Sequence, residues 1–85
     1  MIPDRVHNVL SIIRAQAGGA PAGYLGGATF NNRENRLPEG RYRYYDVHPN
    51  VPGKSRGPER LIIDQTTGVA FYTKDHDRSF EAVPE

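Results

Sequence analysis

Three short segments of the chain combine charged, polar and aromatic residues in patterns that can do chemistry. In chain order they are Phe30-Asn31-Asn32-Arg33-Glu34, Arg56-Gly57-Pro58-Glu59-Arg60 and Tyr72-Thr73-Lys74-Asp75-His76. Each segment alone also has an ordinary structural explanation: an asparagine-rich turn, a ladder of surface salt bridges and a solvated polar loop. What chemistry they support therefore depends on whether the fold brings them together.

The second segment places two arginines on one side of an extended chain. Arg56 and Arg60 are four residues apart, and side chains alternate along a strand, so both point to one face if the strand begins early. Two such guanidinium groups repel each other unless an anion lies between them or a carboxylate pairs with them. Asp46, on a neighbouring predicted strand, is a candidate for that carboxylate. A phosphate between the arginines would receive hydrogen bonds that stabilise the charge of a phosphoryl-transfer transition state.

The other two segments supply an imidazole and a carboxylate. His76 follows a strand in a polar loop, where an imidazole changes charge near neutral pH and can donate a proton to a leaving oxygen. Asp75 either orients that imidazole or only forms the turn. In the first segment, Glu34 can accept from N1 and N2 of guanine while backbone amides donate to its O6. Phe30 can support base stacking.

The elements that position these segments form an α+β pattern. Apolar residues at helical spacing, between the start signal Pro3-Asp4 and the stop signal Gly18-Gly19, predict a helix over about residues 4–17. The Gly-, Ala- and Pro-rich residues 18–27 exclude a long strand or helix. Short runs between turn signals then predict strands at 41–47, 60–64, 69–73 and 79–83. We expect the helix to pack on one face of an antiparallel sheet, whose other face is free to carry a site.

Composition and charge narrow the class of protein. The 85 residues suit a single domain over residues 1–85, and the absence of cysteine excludes disulfides and cysteine-based zinc sites. The net charge is +1, but residues 33–60 hold seven Lys or Arg against four Asp or Glu, which suits a polyanionic partner. Charge alone favours a solvated, mixed-charge surface. No apolar run approaches the roughly 20 residues of a membrane span, and residues 1–14 lack a signal-peptide pattern.

The order of the motifs carries more information than any one of them. The chain reads Phe-x-Asn-Arg-Glu-x-x-Leu-Pro, then a tyrosine-rich strand ending in Asp-Val, then Arg-Gly-x-x-Arg, and then Tyr-Thr-x-Asp-His followed by Phe. In this order, over about residues 24–83, the chain resembles the barnase-like family of microbial guanyl-preferring ribonucleases. The resemblance implies the microbial ribonuclease fold and a reaction without metal or other cofactor.

The resemblance also implies roles for individual residues. Arg56 and Arg60 match the arginines that hold the scissile phosphate, and His76 matches the general acid that protonates the leaving 5′-oxygen. The family attacks phosphorus with the RNA's own 2′-hydroxyl and forms a 2′,3′-cyclic phosphate, so RNA is the implied substrate. The implied guanine-binding loop, in which Glu34 reads the base, consists of Phe30, Asn31, Asn32, Arg33 and Glu34.

Two positions depart from the family pattern. Where the family strand carries its general-base glutamate, this chain has Tyr44, and a neutral phenol is a poor base near neutral pH. Losing a general base costs about 10²- to 10⁴-fold in rate. Where the family has a tyrosine after Asp-His, this chain has Asp77. We hypothesise that Asp77 or Asp46 takes over part of the base role, with Tyr44 hydrogen-bonding the phosphate or the 2′-hydroxyl. His48, placed on the Tyr44 side by strand alternation, is another candidate base.

Two hypotheses from different classes follow. The first is a metal-independent endoribonuclease that cleaves single-stranded RNA 3′ of guanosine. The second is a catalytically impaired domain of the same fold that binds RNA or a protein. The first is compatible with a monomeric toxin domain, secreted or delivered out of a bacterial cell and neutralised by an acidic, barstar-like inhibitor or immunity protein.

Overall fold

The computed structural model describes residues 1–84, which form one helix followed by a five-stranded sheet. The helix α1 spans Asp4–Ala15, and the strands are β1 Gly26–Phe30, β2 Tyr42–Asp46, β3 Arg60–Asp64, β4 Ala70–Thr73 and β5 Glu81–Ala82. All neighbouring strands pair antiparallel in the order β1-β2-β3-β4-β5, so each strand lies beside the next one along the chain. The predicted fold class, an N-terminal helix with an antiparallel sheet, is confirmed.

Apolar side chains cover both faces of the sheet. On one face, Tyr45, Leu61 and Tyr72 form a core with the predicted apolar stripe of α1, which consists of Val6, Val9, Leu10 and Ile13. On the other face lies an aromatic cluster, whose members are Leu37, Tyr42 and Ile62 with Phe30, Tyr44, Phe71 and Phe80 packed against them. All five residues of β3 are buried, which agrees with the central strand that the apolar run predicts.

The strand β1 falls partly in the glycine-rich segment and was not predicted. Its pairing with β2 shifts register between Gly26 and Ala28, and Gly27 at the shift has a φ of +90°. A Cβ added at Gly26 would lie 2.9 Å from the Cα of Tyr45, so no larger residue fits there without displacing β2. The glycines that argue against a regular strand therefore permit a bulged one.

Two other predicted elements, the helix and the last strand, are longer in the prediction than in the structure. The helix ends at Ala15 instead of residue 17, because Ala17 adopts a left-handed φ of 54° and the Gly18 amide donates to the Ile13 carbonyl at 2.9 Å. The strand β5 begins at Glu81 instead of residue 79, because the Ser79 amide bonds to the Asp75 carboxylate. No helix within residues 1–84 is long and apolar enough to cross a membrane.

Candidate active site

The carboxylate of Asp46 pairs with both arginines that the sequence singled out. Asp46 ends β2 and lies opposite Arg60 at the start of β3. Arg56, in the connection between these strands, donates from Nε to Asp46 Oδ2 at 2.8 Å and from Nη2 to Oδ1 at 2.7 Å. Arg60 Nε lies 3.4 Å from the same Oδ1. Asp46 is only 2% exposed, so it is the buried counter-charge that the arginine pair requires.

The arginine pair retains the capacity to bind an anion. Two guanidinium charges face one carboxylate, so the group keeps one net positive charge. Hydrogen bonds to Asp46 raise the pKa of Arg56, with a smaller contribution from the Tyr44 hydroxyl. A guanidinium has five N–H donors, and the contact with Asp46 occupies two of those of Arg56. Arg60 is held by Nη1, which donates to the carbonyls of Gly57 at 2.8 Å and Glu59 at 2.6 Å.

Asp75 shapes the loop that carries His76. Its carboxylate accepts from the Ser79 amide at 2.8 Å, the Ser79 hydroxyl at 2.6 Å and the Thr73 hydroxyl at 2.9 Å. The bonds from Ser79, aided by Thr73, lower the pKa of Asp75 to about 2. Of the two interpretations that the sequence left open for Asp75, the structure supports turn formation.

His76 and Asp77 occupy strained backbone positions within this loop. Their φ angles are 58° and 69°, in the left-handed region that non-glycine residues rarely adopt. The His76 amide donates to the Pro58 carbonyl at 2.8 Å, and the Asp77 amide donates to the Thr73 hydroxyl at 3.1 Å. Backbone strain of this kind persists where surrounding bonds impose it, and it is concentrated at functional sites.

A cleft on the sheet face opposite α1 brings together five of the seven predicted catalytic residues. Its volume is about 270 Å³, and its lining consists of Phe30, Tyr44, Arg56, Arg60, His76 and Asp77. We call it the phosphate cleft. Asp46 lies behind the two arginines and contacts the cleft through them. Two arginines, an imidazole and a carboxylate around one small cleft form an arrangement that can bind a phosphodiester and transfer protons to and from its oxygens.

A second, larger cleft adjoins the phosphate cleft and shares Phe30, His76 and Asp77 with it. Its volume is about 450 Å³, and it is lined by every residue of the predicted guanine-binding loop, Phe30, Asn31, Asn32, Arg33 and Glu34. We call it the base cleft. Asn32 shapes this loop: its Nδ2 donates to the Leu37 carbonyl at 2.9 Å, and its Oδ1 accepts from the Leu37 amide at 3.2 Å.

Arg36 joins the two loops that border the base cleft, although it belongs to none of the motifs that marked the other site residues. Its Nη2 lies 2.7 Å from Glu34 Oε2, and its Nη1 donates to the carbonyls of Asp77 at 3.3 Å and Arg78 at 2.5 Å. Its position two residues after Glu34 is the one signal that could have marked it. Arg36 therefore connects the predicted base-reading carboxylate to the loop of the predicted general acid.

His48 lies away from the phosphate cleft, so its predicted placement beside Tyr44 is wrong. Its Nε2 contacts the carboxylate of Glu59, which also accepts hydrogen bonds from Arg5 of α1 and from the Tyr72 hydroxyl at 2.5 Å. Tyr72 belongs to the core on the helix side of the sheet. Side chains alternate only within a strand, and β2 ends at Asp46, two residues before His48.

Glu59 is the centre of this cluster, which links α1 to the connection that carries Arg56. Burial by itself would raise the pKa of Glu59, but hydrogen bonds from Arg5, Tyr72 and His48 outweigh it and lower the pKa to about 2. The same contact, added to burial, raises the pKa of Tyr72 to about 12. A carboxylate whose pKa is lower in the folded chain stabilises the fold above its ordinary pKa, and this contribution is lost as the pH falls towards 2.

Replacing Glu59 with glutamine is expected to lower the free energy of unfolding at pH 7 by about 2 kcal/mol, since partly exposed partners screen the interaction. Urea unfolding at several pH values measures this loss, and the variant's stability should vary less with pH below about 4.5. Glu81→Gln is the matched control, because Glu81 pairs only with the exposed N-terminal amine among the contacts described and should change stability by less than about 0.5 kcal/mol. Equal stability of Glu59→Gln and the wild type at pH 7 would contradict the assigned contacts.

Comparisons with known proteins agree with this geometry. A family model described as ribonuclease matches residues 1–84. The chain belongs to the ribonuclease family. The resemblance to microbial guanyl-preferring ribonucleases, stated on the order of the motifs, is thereby confirmed at the level of the family.

The chain is also similar in sequence and structure to individual ribonucleases. The chain is 32% identical over 87 residues to guanyl-specific ribonuclease Sa of Kitasatospora aureofaciens, covering 99% of this chain and 88% of that protein. It is 35% identical to guanyl-specific ribonuclease Sa3 of the same organism, covering 96% of this chain and 58% of that protein. Among solved structures, it is similar to ribonuclease Sa2 with guanosine-2′-cyclophosphate, with a TM-score of 0.71 and 29% identity over 98% of this chain and 88% of that one.

Proposed function

We propose that this chain is an endoribonuclease that cleaves single-stranded RNA on the 3′ side of guanosine and leaves a 2′,3′-cyclic phosphate. The observation that carries the proposal is the pair of adjoining clefts, one lined by Arg56, Arg60 and His76 and the other by the predicted guanine-binding loop. Family membership and relatives named guanyl-specific ribonucleases support the same activity.

The base cleft supplies the proposed preference for guanosine. The Glu34 carboxylate accepts from N1 and N2 of guanine, and amides of the same loop donate to O6. Arg36 holds Glu34 in the unliganded chain, so the base competes with a partly exposed ion pair. Phe30 borders both clefts and is placed to contact the base and the adjoining ribose.

The phosphate cleft supplies the proposed chemistry. The 2′-oxygen of the guanosine attacks phosphorus, the bond from phosphorus to the 5′-oxygen breaks, and His76 gives a proton to that departing oxygen. Arg56 and Arg60 donate hydrogen bonds to the non-bridging oxygens, where negative charge accumulates in the transition state. Because Asp46 already holds both guanidinium groups in place, little reorganisation is needed when the phosphate binds.

A second candidate function, an RNA- or protein-binding module without catalysis, rests on Tyr44. A phenol lines the phosphate cleft at the position where the family resemblance implies a general-base glutamate. The two candidates differ in the products that they predict. Incubation with RNA in the presence of EDTA should yield fragments ending in guanosine 2′,3′-cyclic phosphate if the proposed activity holds, and intact RNA if the chain only binds.

The test of guanine preference uses Glu34→Gln with guanylyl- and adenylyl-(3′→5′)-uridine as substrates. The variant is expected to lose about 10- to 100-fold in kcat/KM for the guanosine substrate, because a charge-assisted hydrogen bond is worth about 1.5–3 kcal/mol. The adenosine substrate should be cleaved at nearly its original rate. Glu39→Gln, an exposed carboxylate in the same connection, is the matched control and should leave both rates unchanged. Equal losses for both substrates would refute the assignment of Glu34 to base recognition.

We propose further that the chain acts as a monomeric toxin domain, delivered out of a bacterial cell and restrained by an acidic, barstar-like inhibitor. The support is electrostatic: Arg33, Arg36 and Arg78 line the base cleft beside the arginine pair, and a carboxylate-rich surface would complement them. Titration of the ribonuclease with such an inhibitor should abolish cleavage at a one-to-one ratio, and the complex should weaken as salt is added. Cleavage that continues with excess inhibitor would contradict this partner.

A further inference from the structure

Transesterification needs a group that takes the proton from the attacking 2′-hydroxyl, and the sequence left Asp46, His48 and Asp77 as candidates. The carboxylate of Asp46 is occupied on both oxygens, because Oδ2 accepts from Arg56 and Oδ1 accepts from Arg56 and lies beside Arg60. It is also almost completely buried behind the arginines. A proton on Asp46 would break the contacts that place both guanidinium groups, so Asp46 serves them and not the 2′-hydroxyl.

His48 is removed from the reaction by its position. It contacts Glu59 on the helix side of the sheet, and it is not among the residues that line the phosphate cleft. Tyr44 does line that cleft, but a phenolic hydroxyl is a better hydrogen-bond donor than proton acceptor, so we assign it to the phosphate and not to the proton transfer.

Asp77 differs from Asp46 and His48 because it lines the phosphate cleft and has a carboxylate oxygen without a hydrogen-bond partner within residues 1–84. It lines the phosphate cleft together with Tyr44, the arginine pair and His76. Its Oδ1 is shielded from solvent and meets no hydrogen-bond partner within residues 1–84. A carboxylate oxygen without a donor is costly, so Asp77 carries an acceptor that no group within residues 1–84 satisfies.

Two hydrogen bonds hold the backbone that carries the Asp77 side chain. The Asp77 amide donates to the Thr73 hydroxyl at 3.1 Å, and the Asp77 carbonyl accepts from Arg36 at 3.3 Å. His76 beside it is exposed, whereas Asp77 is half-buried. The two neighbouring residues therefore differ in their exposure to solvent while lining the same cleft.

We propose that Asp77 is the general base of this ribonuclease and takes over the part that the family resemblance assigns to a glutamate at position 44. This inference rests on the proposed function. Asp77 accepts the proton of the 2′-hydroxyl as the bond from the 2′-oxygen to phosphorus forms. The bond from phosphorus to the 5′-oxygen breaks, and that oxygen takes its proton from His76. The arginine pair stabilises the phosphorane charge, and Tyr44 donates to a phosphate oxygen.

The central experiment compares Asp77→Asn with the wild type on guanylyl-(3′→5′)-uridine across pH. Asparagine keeps the shape of aspartate and cannot accept the proton, so kcat/KM is expected to fall by about 10²- to 10⁴-fold. Because a carboxylate must be ionised to accept the proton, wild-type kcat/KM should decrease on the acid side of its pH profile, and this decrease should be absent in the variant. Binding of the uncleavable 2′-deoxyguanosine analogue should be retained. Asp4→Asn, the same change on the helix behind the sheet, is the control.

A rescue experiment separates a catalytic role from a structural one. Tyr44→Glu restores a carboxylate at the position that the resemblance implies, so the double variant Tyr44→Glu/Asp77→Asn should recover at least about tenfold over Asp77→Asn. Asp77→Tyr, which places the residue that the resemblance implies at this position, should be as inactive as Asp77→Asn and be rescued in the same way. This second variant covers the case in which Asp77→Asn does not fold.

The outcomes distinguish this proposal from the proposed function. Cleavage by the wild type together with undiminished cleavage by both Asp77 variants overturns Asp77 as the base and leaves the ribonuclease assignment intact. Loss of cleavage with an unchanged acid side of the pH profile and no rescue by Tyr44→Glu also overturns it, because the carboxylate would then only hold the loop. A wild type that leaves RNA intact in every condition overturns both proposals.

Discussion

Replacement of His76 by alanine is expected to lower kcat/KM for guanylyl-(3′→5′)-uridine by about 10²- to 10⁴-fold. The leaving 5′-oxygen would depart as a strongly basic alkoxide unless it is protonated while its bond to phosphorus breaks. His76 is exposed and lines both the phosphate cleft and the base cleft, so in the proposed reaction its imidazole is accessible to the departing nucleoside. Its backbone amide donates to the carbonyl of Pro58, which lies between Arg56 and Arg60, so the loop of His76 is tied to the arginine pair.

The substrate can be chosen to show that the loss concerns proton donation. Guanosine 3′-(4-nitrophenyl phosphate) releases nitrophenolate, which leaves without a proton, so the His76→Ala variant should cleave it at close to the wild-type rate. His7→Ala removes an exposed imidazole from α1, behind the sheet, and should leave both substrates unaffected. An equal loss on both substrates would mean that His76 positions the phosphate and is not the acid.

The helix and the order of the sheet followed from patterns that repeat along the chain. An apolar stripe at helical spacing must be buried against another element, and the four predicted residues of α1 are buried against the sheet. Short strands between turns pair with their neighbours because connections are short, and this produces the antiparallel order. These inferences depend on periodicity, which a single sequence displays directly.

The strand β1 could not be predicted because its stabilising contacts are distant in sequence. Gly26 and Gly27 have poor strand propensity, and the sequence gives no sign that Tyr45 passes too close to Gly26 for a side chain. The guanine-binding loop begins where β1 ends, so the missed strand is also the element that positions Phe30.

The members of the candidate site could be predicted from their residue types and order. The directions of side chains beyond the end of a strand could not. Arg56, Arg60, His76 and the predicted guanine-binding loop were singled out through their motifs, and they line two adjoining clefts. His48 was misplaced because alternation does not extend past the end of β2. Arg36 was not marked as important, because its contacts with two carbonyls across the cleft leave no local pattern.

Loss of the Asp46 carboxylate should have a large effect on stability. Asp46→Asn is expected to lower the free energy of unfolding by about 3 kcal/mol, because breaking a buried ion pair leaves uncompensated charge. The amide nitrogen of asparagine would also place a donor against the N–H groups of Arg56, which now point at two carboxylate oxygens. Arg56 is partly exposed, and its relaxation into solvent keeps the loss at the lower end of the usual range for buried pairs. Urea unfolding in a buffer without phosphate measures the change.

Inorganic phosphate should restore part of this stability, and the restoration tests the arginine pair as an anion site. Without the Asp46 carboxylate, two positive charges face the cleft instead of one, so phosphate should bind the folded variant more tightly than the folded wild type and stabilise it more. Asp64→Asn is the matched control: Asp64 is buried at the other end of β3, accepts from the Thr66 amide at 2.8 Å, and should cost about 1 kcal/mol with no added response to phosphate. If phosphate stabilises Asp46→Asn and Asp64→Asn equally, the arginines do not form the anion site. A larger effect on Asp46→Asn would show that the buried carboxylate neutralises part of the positive charge of Arg56 and Arg60. The phosphate of the proposed RNA substrate would then meet the remaining charge.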